Sequence, residues 1–434
     1  MTSALLTDRY ELTMVDAARK AGTAGRRSIF EVFARHLPNG RRYGIVAGTG
    51  RLLEQLAEFR FGDAELTWLR ENEVVDAETL DWLADYRFRG NVWGYQEGEV
   101  YFPGSPILVV EGTFAEAVVL ETLALSVLNY DSAVASAAAR MVSAADGRPL
   151  AEMGSRRATE RGAVAAARAA YIAGFSATSN LEAGRTWGIP TMGTAAHSFT
   201  LLHDSEEDAF RAQVAALGPG TTLLVDTYDV AAAVDLAVRV AGTGLGAVRI
   251  DSGDLPGQAS AVRRQLDGLG ATGTKITVTS DLDEFAIAAL RVAPVDSYGV
   301  GTSVVTGSGA PTAGMVYKLV ARVGDDGEWV SVAKKSSAKI SIGGRKFPVR
   351  RLVNGRAASE VLHVEDDPGA PTARADAGRP LLVPLVTDGV ADPRYLGAAG
   401  TELAREHRAA AVAELPADAF RLARGEPVIP TLYE

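Results

Sequence analysis

Between about residues 150 and 305 one unit recurs: a short apolar strand, a polar or glycine-bearing turn, then an alanine-rich helix. The clearest strands are TLLVD, AVRID, KITVTS and VDSYG, followed by helical patterns such as VAAAVDLAVRVAG and DEFAIAALRVA. Strands with almost no polar interior residue are buried on both faces, which restricts this stretch to a parallel sheet or an α/β barrel. The polar ends fall at Asp226, Asp251, Ser280 and Gly299, roughly 20–30 residues apart, room for one helix and its turns. The C-terminal ends of such strands are where barrel enzymes place their sites.

The flanks read differently. TDRYELTMVDAARKAG is a capped helix ending at Gly22, SIFEVFAR is a strand, and GNVWGYQEGEVYFPGSPILVVEG suggests two or three antiparallel strands before two apolar helices. Beyond about residue 315 the alternation gives way to a β-rich return with lysines, a Pro/Gly/Asp loop at 364–380 and a last amphipathic helix. The expected organisation is an α+β domain made from residues 1–125 and 340–434, with an irregular parallel α/β barrel at 126–339.

Composition narrows the chemistry. The chain has 434 residues and a formal charge of −10, which disfavours nucleic-acid binding, so an anionic ligand must meet local cations. It has no cysteine, so disulfides, thiolate nucleophiles and Cys-ligated metals are excluded. MTSALLTDRYELTM has no basic segment leading into an apolar run, and no later stretch of 18 uncharged apolar residues appears. The expectation is a cytoplasmic protein that does not enter membranes.

Five segments carry chemistry. In VRIDSGDL a buried strand releases Arg249, Asp251, Ser252 and Asp254 together, with Gly253 permitting a sharp turn. Two carboxylates there can take the vicinal hydroxyls of a sugar or a divalent cation, and Arg249 can fork onto a phosphate; the plainer alternative is Asp254 as a helix cap and Asp251 paired to Arg249. GVGTSVVTGSGA offers Gly301 and Thr302 as a phosphate turn after a late barrel strand. MGSRRATERG sets Arg156 and Arg157 beside an apolar strand, and the hydroxyl-rich GFSATSN lacks a carboxylate that would repel an anion. GTAAHSF gives His197 room among small residues, with Ser198 positioned to hydrogen-bond beside it; no second histidine sits at zinc spacing. In LLVDTYD, Asp229 reads as a cap and Asp226 as the site residue, and Ser280 joins them as the polar end of KITVTS.

GSRRA, GTAAHSF, VDTYD, RIDSGDL and GVGTS, in this order, together with TDRYELTM, resemble the nicotinate phosphoribosyltransferase family. The resemblance runs from about residue 6 to at least 350. It implies the type II phosphoribosyltransferase fold, usually as a homodimer with shared active sites. It also implies formation of nicotinate mononucleotide and pyrophosphate from nicotinate and phosphoribosyl pyrophosphate, with Mg²⁺ and with ATP hydrolysis coupled through a phosphohistidine. On that resemblance His197 matches the phosphorylated histidine, Arg249 and Asp251 the pair contacting the phosphoribosyl group, and Gly301 and Thr302 the 5′-phosphate loop. Arg156 lies where the family binds nicotinate and phosphate groups, and Tyr10 matches an aromatic that stacks on the pyridine ring from the neighbouring subunit. Ser198, Asp226, Ser252 and Ser280 complete the candidate substrate-binding set. The tail beyond about 350 carries little that matches.

Three alternatives follow. A nicotinamide phosphoribosyltransferase would place a carboxylate where GFSATSN has hydroxyls, and quinolinate phosphoribosyltransferases are shorter and lack GTAAHSF. A catalytically silent nucleotide-binding barrel would have no need of Arg249, Asp251, His197 and the glycine turn together.

Overall fold

The computed structural model describes residues 4–334, 342–365 and 378–434. The chain divides into two compact units, one made of residues 1–136 and 310–434 and the other of residues 137–309. Most of the Pro/Gly/Asp loop expected at 364–380 lies outside the described residues.

In the second unit six parallel strands form one sheet, numbered here β1 (Leu150–Glu152), β2 (Ala177–Thr178), β3 (Thr222–Leu224), β4 (Ala247–Ile250), β5 (Lys275–Ser280) and β6 (Ser297–Val300). Their order is β2-β1-β6-β5-β4-β3. The last strand therefore pairs with the first, as in a barrel, and the wall is open between β2 and β3, where only a single bridge, Thr178 to Thr191, continues the pairing among the described residues. Val248, Ile250, Ile276, Val278 and Val300 are fully buried, as the apolar runs require of strands covered on both faces. Six of the helices here start on a side chain that accepts an orphan backbone N–H: Thr159, Asn180, Ser205, Asp229, Asp254 and Asp283. Such caps terminate the strand-to-helix turns, so the sequence switches from strand to helix within a few residues of a strand's polar end. Gly253 turns the chain after β4 at φ +87°, a conformation costly for any residue with a Cβ.

The first unit is built from both chain ends. Its seven-stranded sheet interleaves Arg27–Ala34, Asn91–Tyr95 and Leu108–Thr113 with Met315–Val323, Trp329–Ser331, Leu382–Thr387 and Val390–Ala391. The barrel segment expected to reach residue 339 stops at Gly309. Met315–Val323 instead pairs antiparallel with Arg27–Ala34, from Ser28 opposite Arg322 to Ala34 opposite Met315, and so joins the sheet of the first unit. The other boundary falls after Ser136, further along the same helix Glu121–Ala145 that contains the expected boundary at 125. That helix belongs to the one segment long and apolar enough to cross a membrane among the described residues, Phe114–Ala145, and most of it is buried within the protein.

A charged cluster holds this unit together. Arg350 is completely buried and donates to Glu99 at 2.6 Å, to Glu360 at 2.6 Å and to the Val100 carbonyl at 2.7 Å. Glu99 also receives Arg379 and His407, each at 2.8 Å, and Tyr95 donates to Glu360 at 2.7 Å. Burial alone would push the Glu99 carboxyl up, but His407, Arg379 and Arg350 together hold it well below the usual carboxylate range. Removing the central cation would leave the buried Glu360 with only the Tyr95 hydroxyl and take one of three cations from Glu99. Arg350→Ala is therefore expected to cost about 3–5 kcal/mol in chemical denaturation. Arg351→Ala, which breaks only the exposed pair with Glu434, should cost about 0–1 kcal/mol.

Candidate active site

The C-terminal ends of the parallel strands open into a cavity of about 550 Å³. Ser155, Arg156 and Arg157 line it from the turn after β1, Ser179 from that after β2, Arg249 and Asp251 from β4, Ser280 and Asp281 from β5, and Gly301 and Thr302 from β6. Met192–Ala196, which follow the Thr191 bridge, line it where the wall is open. All of these residues lie within one unit.

Hydroxyl groups aim the charged ones. Asp251 Oδ1 accepts a hydrogen bond from Thr279, the penultimate residue of β5. Asp226 is almost wholly buried; its Oδ2 accepts from the Asp251 backbone N–H at 2.9 Å and from Ser252 Oγ at 2.8 Å. Its Oδ1 is buried without a hydrogen-bond partner and lies 3.8 Å from His197 Nε2. Arg249 donates to Thr194 Oγ1 at 2.5 Å. Burial lowers the Arg249 pKa, countered in part by Asp251 and Asp226, but arginine stays charged even so.

His197 opens the helix His197–Leu202. Its Nδ1 pairs with Thr227 Oγ1 at 3.1 Å, and its Nε2 sits 3.8 Å from Asp226 and 3.9 Å from Asp251. The hydroxyl beside the imidazole is thus Thr227 and not Ser198, which is exposed and does not line the cavity. A helical turn carries adjacent side chains to different faces, so the neighbour in sequence is not the neighbour of the ring. The second carboxylate beside Asp251 is Asp226 and not Asp254, which is taken up in capping Leu255–Gly268. Asp251 bonds to Thr279 and Arg249 to Thr194, so the plain Arg249–Asp251 pair is not formed. Tyr10 is exposed on helix Arg9–Lys20 of the other unit and does not line the cavity.

Four residues are missed by reading the sequence alone: Glu152, Thr194, Thr227 and Thr279. Thr227 stands next to Asp226, and Thr279 next to the strand-end Ser280, so strand-end proximity was the available signal for both. Glu152 is hidden in the otherwise apolar LAEM and is fully buried.

The arrangement gathers three arginines, one aimed carboxylate with a second behind it and neutral hydroxyls around a single cavity; His197 does not line it and reaches it only through its place beside Asp226 and Asp251. The arrangement can bind a ligand anionic at more than one point and a polyhydroxylated centre between those points. Known proteins resemble the chain that carries it. The family model for the nicotinate phosphoribosyltransferase N-terminal domain matches residues 5–129. Nicotinate phosphoribosyltransferase pncB1 of Mycobacterium tuberculosis is 58% identical over 438 residues, covering 98% of this chain and 94% of that protein. The nicotinate phosphoribosyltransferase of Bacillus subtilis is 37% identical over 361 residues, covering 81% of this chain and 73% of that one. The crystal structure of human nicotinic acid phosphoribosyltransferase superposes with a TM-score of 0.82 at 26% identity, covering 99% of this chain and 97% of the other.

Proposed function

The chain belongs to the nicotinate phosphoribosyltransferase family, and on that premise we propose that it joins nicotinate to phosphoribosyl pyrophosphate, making nicotinate mononucleotide and pyrophosphate for NAD salvage. The observation that carries the reading is the single cavity lined by Arg156, Arg157, Arg249, Asp251 and the Gly301–Thr302 turn. The pyridine nitrogen is already a nucleophile. It displaces pyrophosphate at the anomeric carbon without a general base, so the protein's task is to position the ring and stabilise the departing charge.

Each group has a part in that task. Arg156 and Arg157 receive the nicotinate carboxylate beside the neutral Ser179. Arg249, steadied by Thr194, forks onto the diphosphate. Asp251, aimed by Thr279 and backed by Asp226 and Ser252, accepts from the ribose hydroxyls. Gly301 and Thr302 hold the 5′-phosphate, with Ser280 alongside. No group of three or more His, Asp or Glu side chains gathers around one point among the described residues. Mg²⁺, which keeps its ligands mainly from water, phosphate and one or two carboxylates, fits Asp251 together with the buried, unpartnered Asp226 Oδ1. When bound there it would neutralise charge on the diphosphate.

ATP enters as a second substrate in this reading. With Nδ1 engaged by Thr227, His197 Nε2 attacks the γ-phosphorus and ADP departs. A phosphoryl group on that nitrogen brings negative charge against Asp226 and Asp251, and so changes the field at the diphosphate end of the cavity. The enzyme acts in the cytoplasm as a homodimer with shared sites, Tyr10 covering the pyridine ring of the neighbouring subunit. Exposed Leu201, Leu202 and Tyr228, close in sequence to His197 and Asp226, support an apolar contact there.

The deciding experiment is pyrophosphate release with nicotinate, nicotinamide and quinolinate. Nicotinate should be preferred, because a neutral amide forfeits a charge-assisted bond worth about 1.5–3 kcal/mol, roughly ten- to a hundredfold; equal use of the amide would overturn the assignment. Asp251→Asn should cripple use of phosphoribosyl pyrophosphate with the melting temperature unchanged, since asparagine keeps the shape and loses the charge. His197→Asn should abolish ATP hydrolysis and uptake of label from γ-labelled ATP, yet retain slow product formation at high phosphoribosyl pyrophosphate. Acid-labile phosphate still taken up by this variant would contradict the phosphohistidine.

A further inference from the structure

Arg156 and Arg157 are exposed, and neither side chain has a hydrogen-bond or ion-pair partner among the described residues. Their place at the cavity is therefore set by the backbone that carries them. That backbone is one 3-10 turn, Ser155–Arg157, whose Gly154 cap makes no side-chain hydrogen bond, and so short a turn has little order of its own.

Its order comes from below. The buried Glu152 carboxyl accepts the Gly154 N–H on one oxygen and Thr178 Oγ1, at 2.6 Å, on the other. Thr178 Oγ1 accepts in turn from the Asn180 N–H at 3.0 Å. Asn180 Nδ2 then returns to the turn, donating to Ser155 Oγ at 3.0 Å, while Asn180 Oδ1 caps the next helix at Ala183 N–H, 2.9 Å. Glu152, Thr178 and Asn180 do not line the cavity. Gly154 is also seated flush against the next loop: a Cβ there would lie 2.3 Å from Val305 Cγ1 and 2.9 Å from the Gly301 carbonyl. Burial raises the Glu152 pKa, an expense offset in part by the two donors it receives.

We propose that Glu152, Thr178, Asn180 and Ser155 form a closed relay of positioning residues that holds the Arg156–Arg157 turn in register with the cavity and thereby sets affinity for the carboxylate-bearing substrate. This rests on the reading that the two arginines receive nicotinate. A carboxyl suits the first place because its two oxygens serve donors from two different loops at once. Asparagine suits the third because one end caps a helix while the other reaches the turn.

The test separates reach from capping. Asn180→Ser keeps a good N-cap but is too short to reach Ser155, and Ser155→Ala removes the other half of the same bond. Each should raise the KM for nicotinate about five- to tenfold, leaving the KM for phosphoribosyl pyrophosphate and the melting temperature near those of the parent. The double variant should be no worse than either single one, because the two remove one shared interaction. An unchanged nicotinate KM, a lowered melting temperature with KM intact, or effects that multiply in the double variant would each overturn the relay. Arg156→Gln combined with Arg157→Gln distinguishes the premise. A nicotinate KM indifferent to both arginines overturns the substrate assignment and the relay with it. A KM that responds to the arginines but not to Asn180 or Ser155 overturns the relay alone.

Discussion

A parallel strand covered on both faces can carry charge only where it ends, and this limit organises the barrel unit. Glu152, Asp251 and Gly301 stand at or just beyond the ends of β1, β4 and β6, and Asp226 follows β3 by two residues. Since the interiors of those strands are apolar, the charged groups crowd onto one edge and must find partners there. They find them mainly in threonine, serine and backbone N–H groups, which satisfy a carboxylate without neutralising it. Asp251, Asp226 and Arg249 are therefore aimed while leaving capacity for a ligand, which a set of mutual ion pairs would have consumed.

The other unit solves the opposite problem. Its two contributing segments are separated by the whole barrel, and a shared sheet joins them through long-range pairing that is slow to find and costly to close. Arg350 supplies a check on that assembly. Glu99 comes from the first segment and Glu360 from the second; Glu360 has no cation but this arginine among the described ion pairs, and Glu99 draws all of its cations, Arg350, Arg379 and His407, from the second segment. Such a hub adds less net stability than its short distances suggest, since three charged groups must leave water. Its effect falls on alternative pairings of the same strands, each of which would bury an uncompensated charge.

Much of the barrel was legible because its signals are local: apolar runs of four to six residues, capping residues just after them, and polar groups at each junction. The same locality made Asp226, Asp251, Arg249 and the Gly301 turn readable as one edge. What stayed hidden depends on partners distant in sequence. Nothing near Arg350 announces that it meets Glu99. Nothing in VYKLVARV tells that this strand leaves the barrel to pair with SIFEVFA. Ser198 looked like the partner of His197 because it is adjacent, whereas the ring meets Thr227, thirty residues on. Glu152 looked like part of an apolar strand because its polarity is absorbed internally by Thr178 and Gly154.

The gap in the barrel wall sets the mechanical standing of the histidine. The segment from Met192 to Leu202, which includes His197, lies in the opening between β2 and β3 and is joined to the sheet by the Thr191 bridge alone among the described strand pairings. A shift of this segment breaks no strand ladder, whereas moving Asp251 or Gly301 would disrupt β4 or β6 with neighbours on both sides. Local opening free energies follow how much of the packed, hydrogen-bonded lattice must be broken. His197 is thus carried on the one stave that no ladder fastens among the described strand pairings, while Asp251 and Gly301 follow staves fastened on both edges, and the Arg249–Thr194 hydrogen bond is what ties the loose stave to β4.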